Sequence, residues 1–121
     1  MNAALWPRYH YAGDVTRCID GDTVRVRLSL GLSVGVTVDL RLAGIDAPEV
    51  VGATRAAGLA ARAHLESLVG GRRVYVRTYR DRRSFTRYVA DLFVVGPDGT
   101  LTDVADEMVA AGHATRVGLG P

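Results

Sequence analysis

Two short stretches hold the residues whose types and spacing can do chemistry. The first is Asp20-Gly21-Asp22-Thr23, and the second is Arg41-Leu42-Ala43-Gly44-Ile45-Asp46-Ala47-Pro48-Glu49. Asp and Gly favour tight turns for local reasons, so the first stretch also reads as a plain turn ahead of a strand. Asp22, however, shares strand parity with Val24, Val26, Leu28 and Leu30, which sets a carboxylate at the end of an apolar face. A buried carboxylate needs a cation or several donors. In the second stretch, Asp46 and Glu49 also suit a turn ahead of a helix, where acids favour the helix dipole. Arg41 also reads as a solvated position on one strand face with Asp39. Against these bland readings, Pro48 fixes the backbone between Asp46 and Glu49 and holds the two acids in a defined relation. Carboxylate oxygens bind a hard divalent cation. Such a cation and an arginine stabilise charge developing on phosphorus, and a further carboxylate orients or deprotonates water. These are the parts of a metal-dependent phosphodiesterase.

Patterning gives the elements that must position these residues. Tyr9 to Ile19 reads as a first strand. Asp22 to Leu30 alternates, with Thr23, Arg25, Arg27 and Ser29 opposite the apolar set. Gly31 to Gly35 supplies a turn, and Val36 to Ala43 alternates again, which makes a hairpin. Gly44 to Glu49 breaks the pattern. Thr54 to Val69 reads as a helix with an apolar stripe of Ala57, Ala61, Leu65 and Leu68, ended by Gly70-Gly71. Arg72 to Tyr79 and Thr86 to Val95 are strands around an arginine-rich loop, and Pro97-Asp98-Gly99 is a turn. A short helix follows to Ala111, with Asp103 as N-cap, Val104, Met108 and Ala111 facing inward, and Gly112 stopping it.

Strands that do not alternate with helices argue against a parallel sheet. Five strands of antiparallel character with two helices suit a small coiled OB-fold barrel, a mainly β member of the α+β class. Alternation alone puts Arg41 opposite Leu40 and Leu42 while Asp22 falls on the apolar face. A coiled barrel with a bulge could allow them to converge, which parity alone does not show.

The chain has 121 residues, of which 48% are hydrophobic and 23% charged, values that exclude disorder, collagen and coiled coil as descriptions of the whole. One domain is expected over residues 9–117, with a flank at 1–8 and a tail at 118–121. The single cysteine, Cys18, excludes a disulfide within the chain, and a cysteine-based metal site lacks ligands. His10, His64 and His113 have no partners at ligand or triad spacing, which disfavours a histidine-based mechanism. No apolar run approaches the roughly 20 residues of a membrane span. The start shows no signal-peptide pattern, so the expectation is a cytoplasmic monomer with no membrane partner. All fifteen basic residues are arginine, each a planar fork suited to phosphate. Arg72, Arg73, Arg77, Arg80, Arg82, Arg83 and Arg87 cluster with only Asp81 among them, which points to a polyanion partner. Trp6, Tyr9 and Tyr11 read as an ordered N-terminal flank. Tyr75, Tyr79, Phe85, Tyr88 and Phe93 interleave the arginines; strand packing accounts for most, while Tyr79 and Phe85 can stack on bases.

Ile19-Asp20-Gly21-Asp22-Thr23-Val24, then Arg41 to Glu49, then a helix and a later strand arginine together resemble the staphylococcal nuclease (thermonuclease) family in its short form. The resemblance covers Tyr9 to Arg116. It implies an OB-fold barrel and a calcium-dependent endonuclease that cleaves DNA and RNA by water attack on phosphorus. By position, Asp22 and Asp46 would ligate calcium, with Ala47 contributing its backbone carbonyl where the family has threonine. Glu49 would take the water-activating place, as general base or as orienting group. Arg41 would grip a phosphate oxygen, and Arg87 would sit near the leaving oxygen. Arg80, Arg82, Arg83 and Phe85 would contact the nucleic acid. The stretch Arg83-Ser84-Phe85-Thr86-Arg87 departs from the family pattern: Phe85 replaces a tyrosine, Ser84 removes a cation and Thr86 replaces a glycine. The alternative reading is a weakly active or inactive OB-fold module that binds nucleic acid without cutting it.

Overall fold

The alternating runs form strands because each can turn one side chain in two toward a common interior. The computed structural model describes residues 9–79 and 88–118. Along the chain run β1 (His10–Asp20), β2 (Thr23–Gly31), β3 (Val34–Leu42) and β4 (Ile45–Asp46). A 3-10 turn over Gly52–Thr54 leads into α1 (Arg55–Val69), followed by β5 (Arg73–Tyr79), β6 (Tyr88–Val95), β7 (Leu101–Asp103), α2 (Val104–Ala110) and β8 (Thr115–Arg116).

The sheet order is β3-β2-β1-β5-β6-β7, and β3 also pairs with β6 to close a five-stranded barrel. The OB-like α+β class is as expected, with one correction. Leu40–Leu42 of β3 pair with Tyr88–Ala90 of β6 in parallel. Every other neighbour in the ring is antiparallel, and a closed ring with an odd number of strands cannot alternate direction throughout. The Gly44–Glu49 stretch, read as a break, contains β4, which pairs with β8 across Ile45↔Arg116 and Asp46↔Thr115. Strands of two or three residues are too short to show alternation.

The interior takes Val24, Val26 and Leu28 of β2, Leu40 and Leu42 of β3, Val74 and Val76 of β5, and Ala90, Leu92 and Val94 of β6. Helix α1 caps this core with Gly58, Ala61, Leu65 and Val69. The expected stripe is thus shifted: Ala57 is exposed and Leu68 only partly buried. The helix rolls toward its glycine, where its backbone meets the Glu49–Val50 loop. In α2, Val104, Ala105 and Met108 are buried and Ala111 is exposed, while Asp103 caps the helix by accepting from the Ala105 and Asp106 amides. No helix among the described residues is long and apolar enough to cross a membrane.

The β2–β3 turn is tighter than the expected Gly31–Gly35 loop. Leu32 and Ser33 form it alone, at φ 54° and 65°. Two positive φ values match the right-handed twist of a hairpin but suit Asn-Gly rather than Leu-Ser. Leu32 is also 99% exposed, so no packing offsets its left-handed backbone. Leu32→Gly is therefore expected to stabilise the domain by about 0.5–1 kcal/mol, the steric cost of about 1–2 kcal/mol that it removes less the about 0.5–1 kcal/mol of extra freedom that glycine loses on folding. Urea denaturation checks it: the midpoint should rise with an unchanged slope, and a fall would show that the leucine side chain is supporting the turn.

Candidate functional site

The β1–β2 turn carries Asp22 inward. A Cβ on Gly21 would lie 2.7 Å from the Ala61 Cβ of α1 and 2.9 Å from the Ala47 Cβ, so the turn wedges between helix and loop as glycine. Asp22 is 3% exposed and partnered at both carboxylate oxygens. Its Oδ2 accepts the Ala47 amide at 2.9 Å and lies 3.0 Å from Arg41 Nη1. Its Oδ1 accepts the Thr23 hydroxyl at 3.0 Å. A buried carboxylate is tolerable with this set, two neutral donors and one cation.

Arg41 reaches Asp22 through register. Thr23 lies opposite Arg41 in the β2–β3 ladder, and the Leu42 amide donates to the Asp22 carbonyl at 2.8 Å. Asp22 sits in the turn, free of strand parity, and a register shift in β1 between Cys18 and Asp20 precedes it. The same guanidinium donates through Nη2 to Asp46 Oδ1 at 3.0 Å and to the Ile45 carbonyl at 3.3 Å. Arg41 thus bridges the two acids that the motifs place 24 residues apart. β4 makes this possible: its pairing with β8 fixes the backbone from which Asp46 projects.

Glu49 stands at the rim. Its side chain is exposed, but its backbone is clamped. A Cβ on Gly58 would fall 2.2 Å from the Glu49 carbonyl oxygen, and the Thr54 hydroxyl donates to that oxygen at 2.8 Å. The start of α1 therefore packs directly on the Glu49–Val50 backbone. Among the described residues, no three acidic, histidine or cysteine side chains form one cluster. The structure brings Asp22, Arg41 and Asp46 together, makes Ala47 a donor to Asp22, and leaves Glu49 outside that trio. Arg80, Arg82, Arg83, Phe85 and Arg87 lie outside the described residues, as does Trp6.

Three contributors were not legible as site residues. Gly58 is signalled only as an isolated glycine in a helical pattern, which often marks close packing. Thr23 is present in the motif, but its bond to Asp22 is not predictable from spacing. His113, with Thr115, Thr54 and Pro48, walls a cleft of about 310 Å³ beside Asp46, and nothing in the sequence signals it. Its ring centroid lies 4.9 Å from that of His64, so the two imidazoles pack on each other. Burial, helped by Glu66, pushes the Cys18 thiol up to about 11, which removes it as a nucleophile at neutral pH.

A family model described as staphylococcal nuclease homologue matches residues 39–119, about two thirds of the chain. The chain belongs to the staphylococcal nuclease homologues. No curated protein matches it. The matched span includes Arg41, Asp46, Ala47, Glu49 and Arg87; the Asp20–Thr23 turn precedes it. Membership and the barrel indicate a nuclease-like or nucleic-acid-binding function for this staphylococcal nuclease homologue, and nucleic acid as its ligand class.

The family is typically calcium-dependent, and the donor set can be tested for fit. A carboxylate offers about four acceptor positions. Asp22 uses three of them and Asp46 one, and the Asp46 side chain is 60% exposed. Two carboxylates against one guanidinium also leave a negative charge over. Oxygen donors with spare lone pairs and excess negative charge fit a hard divalent cation in kind.

Proposed function

We propose that this staphylococcal nuclease homologue is a metal-dependent endonuclease that hydrolyses phosphodiester bonds of DNA, RNA or both by water attack on phosphorus. The observation that carries the reading is the bridge from Arg41 to both Asp22 and Asp46. It joins two oxygen-donor acids to the residue type best suited to a phosphate. In this reading Asp22, Asp46 and the Ala47 carbonyl hold calcium. The bound cation supplies positive charge that stabilises the charge building on phosphorus. Arg41 is held by two carboxylates, so its orientation is set before substrate arrives, and its remaining donors grip a phosphate oxygen. Arg87 acts on the leaving oxygen. Glu49, exposed at the rim on a clamped backbone, orients the attacking water or takes its proton.

Digestion of plasmid DNA and of RNA, in EDTA and in calcium, magnesium or manganese, tests the proposal. Calcium should support cleavage of at least one polymer, and EDTA should reduce it to background. Cleavage undiminished by EDTA would remove the metal from the reading. Binding with no cleavage in any metal would assign the domain as a binding module.

A further inference from the structure

The outer face of the barrel carries arginines that the catalytic reading does not use. On β2, Arg25 and Arg27 point away from the core formed by Val24, Val26 and Leu28. Arg41 shares that outer face: Thr23 opposes Arg41, Arg25 opposes Asp39, and Arg27 opposes Thr37. Arg25 and Arg27 are two residues apart on one strand, a step of about 7 Å. Arg41 and Arg25 are diagonal neighbours across the ladder, about 7–8 Å apart. The three positions form a row from the candidate site toward the hairpin tip. Each step is comparable to the phosphate repeat of an extended single strand.

A fourth arginine flanks the row. Arg17 of β1 lies directly opposite Arg25. Like charges facing each other across a ladder are destabilising, so this placement does nothing for the fold. Asp39 relieves it only in part, through Arg25 Nε at 2.8 Å and Nη2 at 3.4 Å, which leaves Nη1 for another partner. Asp14, opposite Arg27, is ion-paired with Arg73 instead, at 3.7 Å. Arg77, farther along the outer face, is held by Asp91 and Tyr79. Among the described residues, Arg17 and Arg27 have no acidic group within 4 Å, and both are exposed.

We propose that Arg25, Arg27 and Arg17 form a track on the outer β1–β2–β3 face that binds the phosphate backbone of a single strand running on from Arg41. The inference rests on the proposed function only in taking nucleic acid as the ligand of Arg41. A single row of forked cations fits one phosphate chain, and arginine is the residue suited to it. The track extends the footprint several nucleotides past the scissile position, and affinity should climb with strand length until the row is filled.

The test measures binding of a labelled twelve-nucleotide single strand by fluorescence anisotropy in EDTA, across a salt series, for wild type and for R17A/R27A. The double variant should bind at least tenfold more weakly at about 0.1 M salt. Its salt dependence should flatten by about 1.4 in the log–log slope, roughly 0.7 for each phosphate no longer neutralised. Arg27→Glu, made separately, should weaken binding further than Arg27→Ala, and matching melting curves establish that all variants are folded. Affinity and slope equal to wild type in R17A/R27A would overturn the track, as would a wild type that does not bind the strand. Parallel digestion by wild type in calcium separates the two readings. Cleavage with track-independent binding leaves the nuclease standing and removes the track. Track-dependent binding without cleavage does the reverse.

Discussion

Replacing Glu49 with glutamine is expected to lower turnover by roughly 10²–10⁴-fold, the usual contribution of a positioned proton acceptor, while the melting temperature stays near that of wild type. The two halves of this expectation have separate physical sources. The Glu49 side chain is exposed, forms no ion pair with another described residue, and lies outside the Arg41 bridge. Exposed substitutions away from packing or charge networks usually change stability by no more than about 0.5 kcal/mol. Its backbone, in contrast, is fixed by the Thr54 hydroxyl and by the contact with Gly58. Glutamine therefore occupies the same place with nearly the same shape and loses only its basicity. If Glu49 acts in the chemical step, kcat and kcat/KM should fall together. Single-turnover cleavage of a labelled oligonucleotide, with melting curves alongside, reads both quantities. Wild-type turnover would remove Glu49 from the chemistry. A fall in turnover accompanied by a fall of many degrees in melting temperature would make it a structural residue instead.

Most of the fold was legible because burial imposes a period. The β2 and β3 runs alternate strictly, and Val24, Val26, Leu28, Leu40 and Leu42 from them are core, while Leu30 and Val36 near the hairpin tip are exposed. The barrel was legible, but its parallel seam was not, since the β3–β6 pairing follows from an odd strand count and not from any residue in those strands. The helix face was misjudged by one position for a related reason. Apolar spacing selects Ala57, but packing selects Gly58, whose missing side chain admits the Glu49 backbone. At the site, motif reading named Asp22, Arg41 and Asp46, and these are the residues that meet. It did not give the manner of meeting. Strand parity set Arg41 and Asp22 on opposite faces, whereas a turn residue does not obey parity, and the ladder carries Arg41 to its side. Pairings between a turn and a strand end depend on register, which turn geometry helps to set, and the two-residue Leu32-Ser33 turn was read as a longer loop.

Asp22→Ala is expected to be the most destabilising single change at the site, because it strands several groups at once. Thr23 is 1% exposed and Ala47 9%, so the hydroxyl and the amide that now donate to Asp22 would have no water to turn to. A buried donor left without a partner costs about 1–3 kcal/mol. Arg41 would also lose one of its two carboxylates while Asp46 kept its hold. Arg41 is a third exposed and keeps Asp46, so it adds little, and the two stranded donors set the cost at about 2–6 kcal/mol, which for a domain of this size is roughly 8–24 °C in melting temperature. Asp22→Asn separates architecture from charge. Its amide oxygen can accept the Ala47 amide, and its nitrogen can donate to the Thr23 hydroxyl, so most of the stability should return. The negative charge does not return, and with it goes the carboxylate proposed to hold calcium. Wild type should therefore melt higher in excess calcium, by about 2.7 kcal/mol of added stability at 100 times the dissociation constant, and the asparagine variant should show little of that shift. An alanine variant that melts within a few degrees of wild type would contradict the buried network. An asparagine variant with the full calcium response would move the ion away from Asp22, whatever its effect on cleavage.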